Sequence, residues 1–145
     1  MVRRPVVASE LFLDASYAIA LAASSDQLHF RAVRLADELG SRTSRLITTR
    51  AVLLEIGNAL SKQRYRAAAV ELLASVESDP TIEVVPFSED VYFQALELFR
   101  NRPDKEWGLT DCVSFAVMQA RGLTDALTSD EHFEQAGFRA LLRET

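Results

Sequence analysis

Apolar residues along the chain follow two patterns: short continuous runs, and longer stretches in which apolar positions recur every three or four residues. The runs predict buried strands, and the longer stretches predict amphipathic helices. The strand candidates, in chain order, are ELFLDAS, RLITT, TIEVVPF, DALTSD and FRALL. Helical segments separate them, which predicts parallel strands joined by right-handed crossovers. The predicted fold class is α/β, a helix-sheet-helix sandwich with a mostly parallel sheet.

Small polar residues mark the predicted helix starts. Thr48 or Thr49 is placed to cap RAVLLEIGNALSKQ, and Ser88 is placed to cap EDVYFQALELFRNR. Thr110 is predicted to cap the helix in WGLTDCVSFAVMQARG, which is apolar on nearly every side. That helix is therefore expected to be buried, although a carboxylate, Asp111, stands in its first turn.

The chain has 145 residues, 48% of them hydrophobic and 26% charged, which predicts one domain over residues 1–145. Residues 1–9 are expected to form a loosely ordered extension. Its apolar run ends at Ser9 and Glu10, too soon for a membrane span or a signal-peptide core. The single cysteine, Cys112, cannot form an intrachain disulfide. These features predict a cytoplasmic protein that does not contact a membrane.

The formal net charge of -5 disfavours sequence-independent binding to a long polyanion. Contacts with a nucleic acid must therefore be local. Arg64 and Arg66, which follow the helix that carries Glu55, are candidates for such an RNA contact. The alternative is a solvated helix surface, the usual role of a charge run.

Four acidic residues fall where a parallel sheet binds ligands, beyond the carboxyl ends of its strands. Asp14 follows the first strand, and Asp130 follows the strand in DALTSD. Glu55 lies in the first two turns of a helix that leaves another strand, and Asp111 lies in the first turn of its own helix. If the predicted alternation holds, these four side chains converge.

Such convergence requires a counterion, because two like charges about 4 Å apart repel by roughly 4 kcal/mol at an effective dielectric constant of about 20. Oxygen ligands without a cysteine or histidine cluster favour Mg²⁺ or Mn²⁺ over zinc. This chemistry suits phosphodiester hydrolysis by a metal-activated water.

Each acid also has a simpler interpretation when it is taken alone. Asp14 and Asp111 could be helix-start residues that the helix dipole favours. Glu55 could be an exposed helix residue, and Asp130 could be a turn former. The metal-site hypothesis therefore depends on the joint placement of the four acids.

The segments LFLDASYAIA, TTRAVLLEIGNAL, DKEWGLTDCVSFAVMQARG, ALTSDEHFEQAGF and RALL span nearly the whole chain. Together they resemble the PIN-domain ribonucleases, and in particular the VapC-type toxins of bacterial toxin-antitoxin pairs. The resemblance implies a five-stranded parallel sheet between helices and cleavage of single-stranded RNA that depends on Mg²⁺ or Mn²⁺. It assigns the catalytic and metal-binding roles to Asp14, Glu55, Asp111 and Asp130. It also implies a small antitoxin partner and a homodimer.

Other polar residues near these segments have secondary interpretations. Ser16 and Thr110 are expected to support the site by hydrogen-bonding a carboxylate or a metal-bound water. Gly108 stands where related sequences often have a serine, so one hydroxyl is absent. His132 is expected to pack beside Phe133 rather than to bind metal. A loop ion pair is predicted between Asp104 and Lys105.

Two alternative functions differ in class from a nuclease. A phosphatase of the haloacid dehalogenase type needs a second acid two residues after its nucleophile, and Ser16 occupies that position. The other alternative is a non-catalytic PIN scaffold that binds RNA or protein, which metal-dependent cleavage would exclude. A nuclease without an antitoxin also stays open at this point.

Overall fold

The computed structural model describes residues 10–40 and 45–144, so the predicted extension at residues 1–9 lies outside the described residues. The described residues form one five-stranded sheet in the order β3-β2-β1-β4-β5, and every neighbouring pair is parallel. The strands are β1 Glu10–Leu13, β2 Arg45–Thr49, β3 Ile82–Val85, β4 Asp125–Leu127 and β5 Arg139–Ala140.

Helices connect the strands as the alternation predicted, and the α/β fold class is confirmed. The helices are α1 Ala15–Ala22, α2 His29–Gly40, α3 Arg50–Ala59, α4 Gln63–Ser78, α5 Glu89–Asn101, α6 Leu109–Arg121 and α7 Glu131–Gln135. The segment FRALL forms only a two-residue strand, because the chain then enters a 3₁₀ helix, Leu141–Arg143, that buries Leu141 and Leu142. No helix within the described residues is long and apolar enough to cross a bilayer.

The strand order places the helices in two layers. Right-handed crossovers from β1 to β2 to β3 put α1 to α4 on one face, and the return from β3 to β4 and on to β5 puts α5 to α7 on the other face. The order reverses between β1 and β4, so the chain leaves the carboxyl ends of these two neighbours toward opposite faces of the sheet. Such a switch point is where an open α/β sheet binds its ligand.

Helix α6 is buried, as its composition predicted, over seven consecutive residues from Cys112 to Met118. The Phe115 ring packs edge-on against the rings of Trp107 and Phe133, with centroid separations of 5.1 and 5.0 Å. The Trp107 indole N–H donates a hydrogen bond to Gln135 Oε1 at 3.1 Å. These contacts fix α6 relative to α7, and so fix the residues that begin the two helices.

Two of the predicted helix caps are confirmed and one is wrong. The Thr49 hydroxyl accepts the Val52 N–H, and the Ser88 hydroxyl accepts the Val91 N–H. Helix α6 begins at Leu109, so Thr110 lies inside the helix rather than at its cap. The capping position falls on Gly108, which has no side chain to accept a hydrogen bond. The stabilising contact therefore comes from inside the helix, from a carboxylate three residues on.

Candidate active site

The site lies at the switch point between β1 and β4. Asp14 directly follows β1, and its N–H donates to the Leu127 carbonyl at the end of β4. Asp130 stands three residues beyond β4, at the start of α7. Asp14 and Asp130 thus follow neighbouring strands and lie at the crevice where the strand order reverses.

Asp14 is buried, with 8% of its surface exposed, and two hydroxyls donate to its Oδ2. The Thr128 hydroxyl lies 2.7 Å from this oxygen and the Ser16 hydroxyl lies 3.1 Å from it. Ser16 therefore makes the carboxylate hydrogen bond expected of it, and it also accepts the Ser129 N–H at 3.0 Å. The Thr128 hydroxyl accepts the Asp130 N–H at 3.1 Å, so this hydroxyl connects the two acids.

Sequence reasoning missed Thr128. The residue is fully buried, and only its position between β4 and Asp130 could have indicated that it faces the acids.

Burial raises the pKa of Asp14 above its ordinary value. The hydrogen bonds from Thr128, from the Ala15 backbone and from Ser16 oppose this shift, and the nearby charge of Asp130 adds to it. Because the pKa remains raised despite three donors, burial costs this carboxylate more than hydrogen bonding returns. Asp14 is therefore an acid held in an unfavourable electrostatic environment.

Glu55 is the third acid that reaches the site. It lies in α3, which begins directly after β2 and is capped by Thr49, and its side chain is half-buried. Its pKa is raised to about 7, first by burial and then by the charges of Asp14, Asp111 and Asp130. The structure thus brings together the four acids that sequence singled out, from the ends of β1 and β4, the second turn of α3 and the first turn of α6.

Asp111 has contacts on two sides. Its Oδ2 accepts the Gly108 N–H at 3.0 Å, which satisfies one free donor at the start of α6. The same oxygen lies 3.1 Å from Nδ1 of His132, which in turn lies 3.6 Å from Asp130 Oδ1. His132 was expected to pack beside Phe133 rather than to bind metal; its ring nitrogen in addition faces the two carboxylates. Ligand atoms of Asp111, Asp130 and His132 lie within 4.8 Å of one another.

Two other expectations concern polar residues near the site. Thr110 is half-buried in the first turn of α6, and its hydroxyl bonds no carboxylate among the described residues, so a bond to a metal-bound water stays a prediction. Asp104 pairs with Arg102 rather than with Lys105, through two contacts of 3.0 Å, because the guanidinium offers two parallel N–H groups to the carboxylate.

Arg64 and Arg66 lie near the start of α4, beyond the end of α3 that is distant from its cap. The Arg66 guanidinium donates two hydrogen bonds to the Ser61 carbonyl, at 3.2 and 2.8 Å, and so holds the turn between the helices. The Arg64 guanidinium lies 4.8 Å from the Tyr65 ring centroid. Both arginines are exposed, and an RNA-binding role for them stays a prediction.

Comparison with known proteins identifies the family of the chain. The model of the PIN domain matches residues 11–139. The chain belongs to the PIN-domain family. It is 30% identical over 128 residues to the 23S rRNA-specific endonuclease VapC20 of two strains of Mycobacterium tuberculosis, a match that covers 88% of this chain and 95% of the relative.

Three solved structures share the fold of this chain. The crystal structure of M. tuberculosis VapC20, a sarcin-ricin loop cleaving toxin, matches with a TM-score of 0.79 and 30% identity over 88% of this chain and 95% of that one. VapBC2 from Rickettsia felis, bound to a promoter DNA fragment, matches with a TM-score of 0.64 and 16% identity, covering 90% and 96% of the two chains. FitAcB from Neisseria gonorrhoeae matches with a TM-score of 0.61 and 17% identity, covering 90% and 94%. The last two likenesses concern the fold alone.

The raised pKa of Glu55 predicts how stability depends on pH in the metal-free protein. The folded protein holds this proton more tightly than the unfolded chain does, since the pKa rises from 4.5 to about 7 on folding. Glu55 therefore contributes stability that is fully present below about pH 4.5 and is lost as the pH rises through about 7. Urea unfolding with a chelator should show a smaller fall in stability over this range for Glu55→Gln than for wild type.

The matched control is Glu71→Gln, because Glu71 is an exposed helix residue away from the acids. Its stability should follow the wild-type pH dependence. Parallel curves for wild type and Glu55→Gln would contradict the raised pKa of Glu55.

The Thr128 hydroxyl predicts a second measurable effect. Thr128→Val keeps the side-chain shape but deprives Asp14 of a donor and the Asp130 N–H of its acceptor. Unfolding free energy should fall by about 1–3 kcal/mol, the usual cost of leaving buried polar groups without a partner. The pKa of Asp14, followed by NMR titration of its carboxyl carbon, should rise further. Thr128→Ser keeps the hydroxyl, and a similar rise in this variant would refute the assignment.

Proposed function

We propose that the chain is a divalent-metal-dependent endoribonuclease that hydrolyses RNA phosphodiesters with a metal-activated water. The observation that carries the proposal is the convergence of Asp14, Glu55, Asp111 and Asp130 at the switch point. Burial, and then the charges of the other three acids, raise the pKa of Glu55 to about 7. The similarity to VapC20, an endonuclease that acts on 23S rRNA, supports the reaction class.

The donor set fits a hard divalent cation. Carboxylate oxygens are the ligands that Mg²⁺ and Mn²⁺ prefer, and the mutual repulsion of the four acids is relieved by positive charge. Asp14, Glu55, Asp111 and Asp130 would hold the ion. Once bound, it would supply a Lewis acid for the phosphoryl oxygens and a water of lowered pKa.

The protein itself fixes where the carboxylates point. Thr128 and Ser16 hold Asp14 at the floor of the site, and the Gly108 N–H holds Asp111. Side-chain exposure rises from 18% for Asp111 to 33% for Asp130, so the site opens toward Asp130. This arrangement orients the acids before RNA arrives and leaves one side of the site accessible to a phosphodiester.

We also propose that the nuclease is the toxin of a toxin-antitoxin pair. The net negative site suits a small antitoxin that places a basic side chain among the carboxylates, since such a contact would offset their repulsion. A homodimer belongs to the same proposal. The exposed aromatic side chains of Phe87, Tyr92, Phe93 and Phe99 on and before α5 are a candidate surface for it.

The RNA substrate is proposed to be single-stranded or splayed from a loop, because its phosphodiester must reach carboxylates at the edge of a sheet. A sarcin-ricin loop oligonucleotide is the first substrate to test, given what the relative cleaves. Arg64, which is exposed near the start of α4, is the better candidate for a phosphate contact, since the Arg66 guanidinium already bonds a backbone carbonyl.

Asp14→Asn should abolish RNA cleavage while leaving the fold intact, because it removes the charge of the acid at the floor of the site. The loss should exceed about a hundredfold, since loss of an outer-shell partner of a metal ligand already costs 10–100-fold. Expression of wild type without a partner should slow growth, and Asp14→Asn should not. RNA binding without metal-dependent cleavage by wild type would instead favour a non-catalytic scaffold.

Asp111→Asn separates the helix role of this residue from its metal role. The asparagine amide oxygen can still accept the Gly108 N–H, so the start of α6 is preserved while one repulsive charge is lost. The metal-free variant should therefore be as stable as wild type or more stable. A ligand that binds only the folded protein adds about 2.7 kcal/mol at a hundredfold excess over Kd, and Asp111→Asn should gain much less of this from Mn²⁺.

The control for this experiment is Asp90→Asn. Asp90 is an exposed acid in the first turn of α5, so its loss removes only a dipole interaction of about 0.3–1 kcal/mol. Thermal melts with and without Mn²⁺ should show the full wild-type upshift for Asp90→Asn. An equal upshift in Asp111→Asn would mean that Asp111 serves the helix alone.

A further inference from the structure

His132 brings a nitrogen to a site that otherwise consists of oxygens. Its Nδ1 lies 3.1 Å from Asp111 Oδ2 and 3.6 Å from Asp130 Oδ1, at the start of α7. The ring is 26% exposed and points into the gap between two carboxylates that come from different elements. A short polar ring at this place is either a hydrogen-bond donor to Asp111 or part of a metal-binding set.

The separations suit a shared ion. Around a six-coordinate ion with ligand distances of about 2.1 Å, adjacent ligand atoms lie about 3.0 Å apart. The distances from Nδ1 to the two carboxylate oxygens, 3.1 and 3.6 Å, are near this value. All three ligand atoms lie within 4.8 Å of one another, so one ion can be placed among them.

The carboxylates do not depend on the ring for their orientation. Asp111 Oδ2 already accepts the Gly108 N–H at 3.0 Å, and Asp130 Oδ1 already accepts the His132 N–H at 2.9 Å. Each acid is therefore fixed by a backbone donor at a helix start. A ring whose only task was to orient Asp111 would duplicate a contact that the backbone makes, which favours a role toward the ion itself.

We propose that His132 Nδ1 is a direct ligand of the catalytic metal ion, so that the site is a mixed nitrogen and oxygen site that selects Mn²⁺ over Mg²⁺. The proposal rests on the metal-dependent function proposed above. Both Mn²⁺ and Mg²⁺ bind carboxylate and water oxygens, but Mn²⁺ is a first-row transition ion and binds nitrogen donors more readily than Mg²⁺ does, although less strongly than Fe²⁺ to Zn²⁺. Between Mn²⁺ and Mg²⁺, replacing one oxygen ligand by an imidazole nitrogen therefore shifts the preference toward Mn²⁺.

The chain offers a clean spectroscopic test, because it contains two histidines. Pulsed electron paramagnetic resonance of Mn²⁺ bound to the full-length protein detects ¹⁴N nuclei of coordinated imidazole. Wild type should show this coupling, His132→Gln should lose it, and His29→Gln should retain it. His29 is the matched control because its Nδ1 lies 2.8 Å from the Ala20 carbonyl at the start of α2, away from the acids.

Metal preference gives a second readout. Loss of an outer-shell partner typically costs 10–100-fold in metal affinity, so loss of a ligand should weaken Mn²⁺ binding to His132→Gln by at least about tenfold. Mg²⁺ binding, measured by competition, should change much less, and the Mn²⁺ to Mg²⁺ preference should fall accordingly. Thermal melts of the metal-free variants check that each protein is folded.

The outcomes separate the two proposals. Mn²⁺ bound to wild type without imidazole coupling, or with coupling that survives His132→Gln, overturns the ligand role and leaves the nuclease proposal standing. An equal loss of Mn²⁺ and Mg²⁺ affinity without coupling would also overturn it, and would make His132 a positioning residue for Asp111. Wild type that binds Mg²⁺ but not Mn²⁺ would overturn the ligand role alone, and failure of wild type to bind either ion would overturn both proposals.

Discussion

Burial of several carboxylates at one point of the sheet is the constraint on which the rest of this structure depends. Burial raises the pKa of Asp14 although three donors oppose the shift, and burial together with the charges of the other three acids raises the pKa of Glu55 to about 7. A fold that only maximised stability would not gather these groups, because each shift reflects free energy lost when the charged carboxylates are buried beside one another. The remaining packing has to supply that energy.

Helix α6 supplies much of the packing that holds the acids in place. Its buried residues, Cys112 to Met118, follow Asp111 directly, and Phe115 locks the helix against Trp107 and against Phe133 of α7. This packing holds α6 in place and so keeps the Asp111 carboxylate, in the first turn of the helix, close to the other acids. The same contacts set the distance between Asp111 and Asp130, which caps α7, so the packing of the core determines the geometry of the site.

The fold was predictable because it rests on periodicity, which is a local property of the sequence. Asp14 and Asp130 were predictable for a similar reason, since residues that directly follow parallel strands must lie at one edge of the sheet. Thr128 and His132 were not, because the direction of a side chain just beyond a strand or inside a one-turn helix depends on tertiary contacts. The cap of α6 was misplaced because Gly108 offers no side chain, and the compensating contact comes from a residue already assigned to the site.

That double use of Asp111 couples the helix to the site through a single atom. Its Oδ2 accepts the Gly108 N–H and also faces His132 Nδ1, so whatever stabilises the start of α6 also fixes an oxygen that the site uses. A serine at position 108 would add a hydroxyl able to accept the N–H of Asp111, while Asp111 would still accept the N–H of residue 108, as in a capping box. With glycine there, only the second of these two contacts forms, and it fixes both the start of α6 and the Asp111 carboxylate. This chain therefore orients Asp111 through a backbone N–H at a helix start, whereas Asp14 accepts hydrogen bonds from two side-chain hydroxyls.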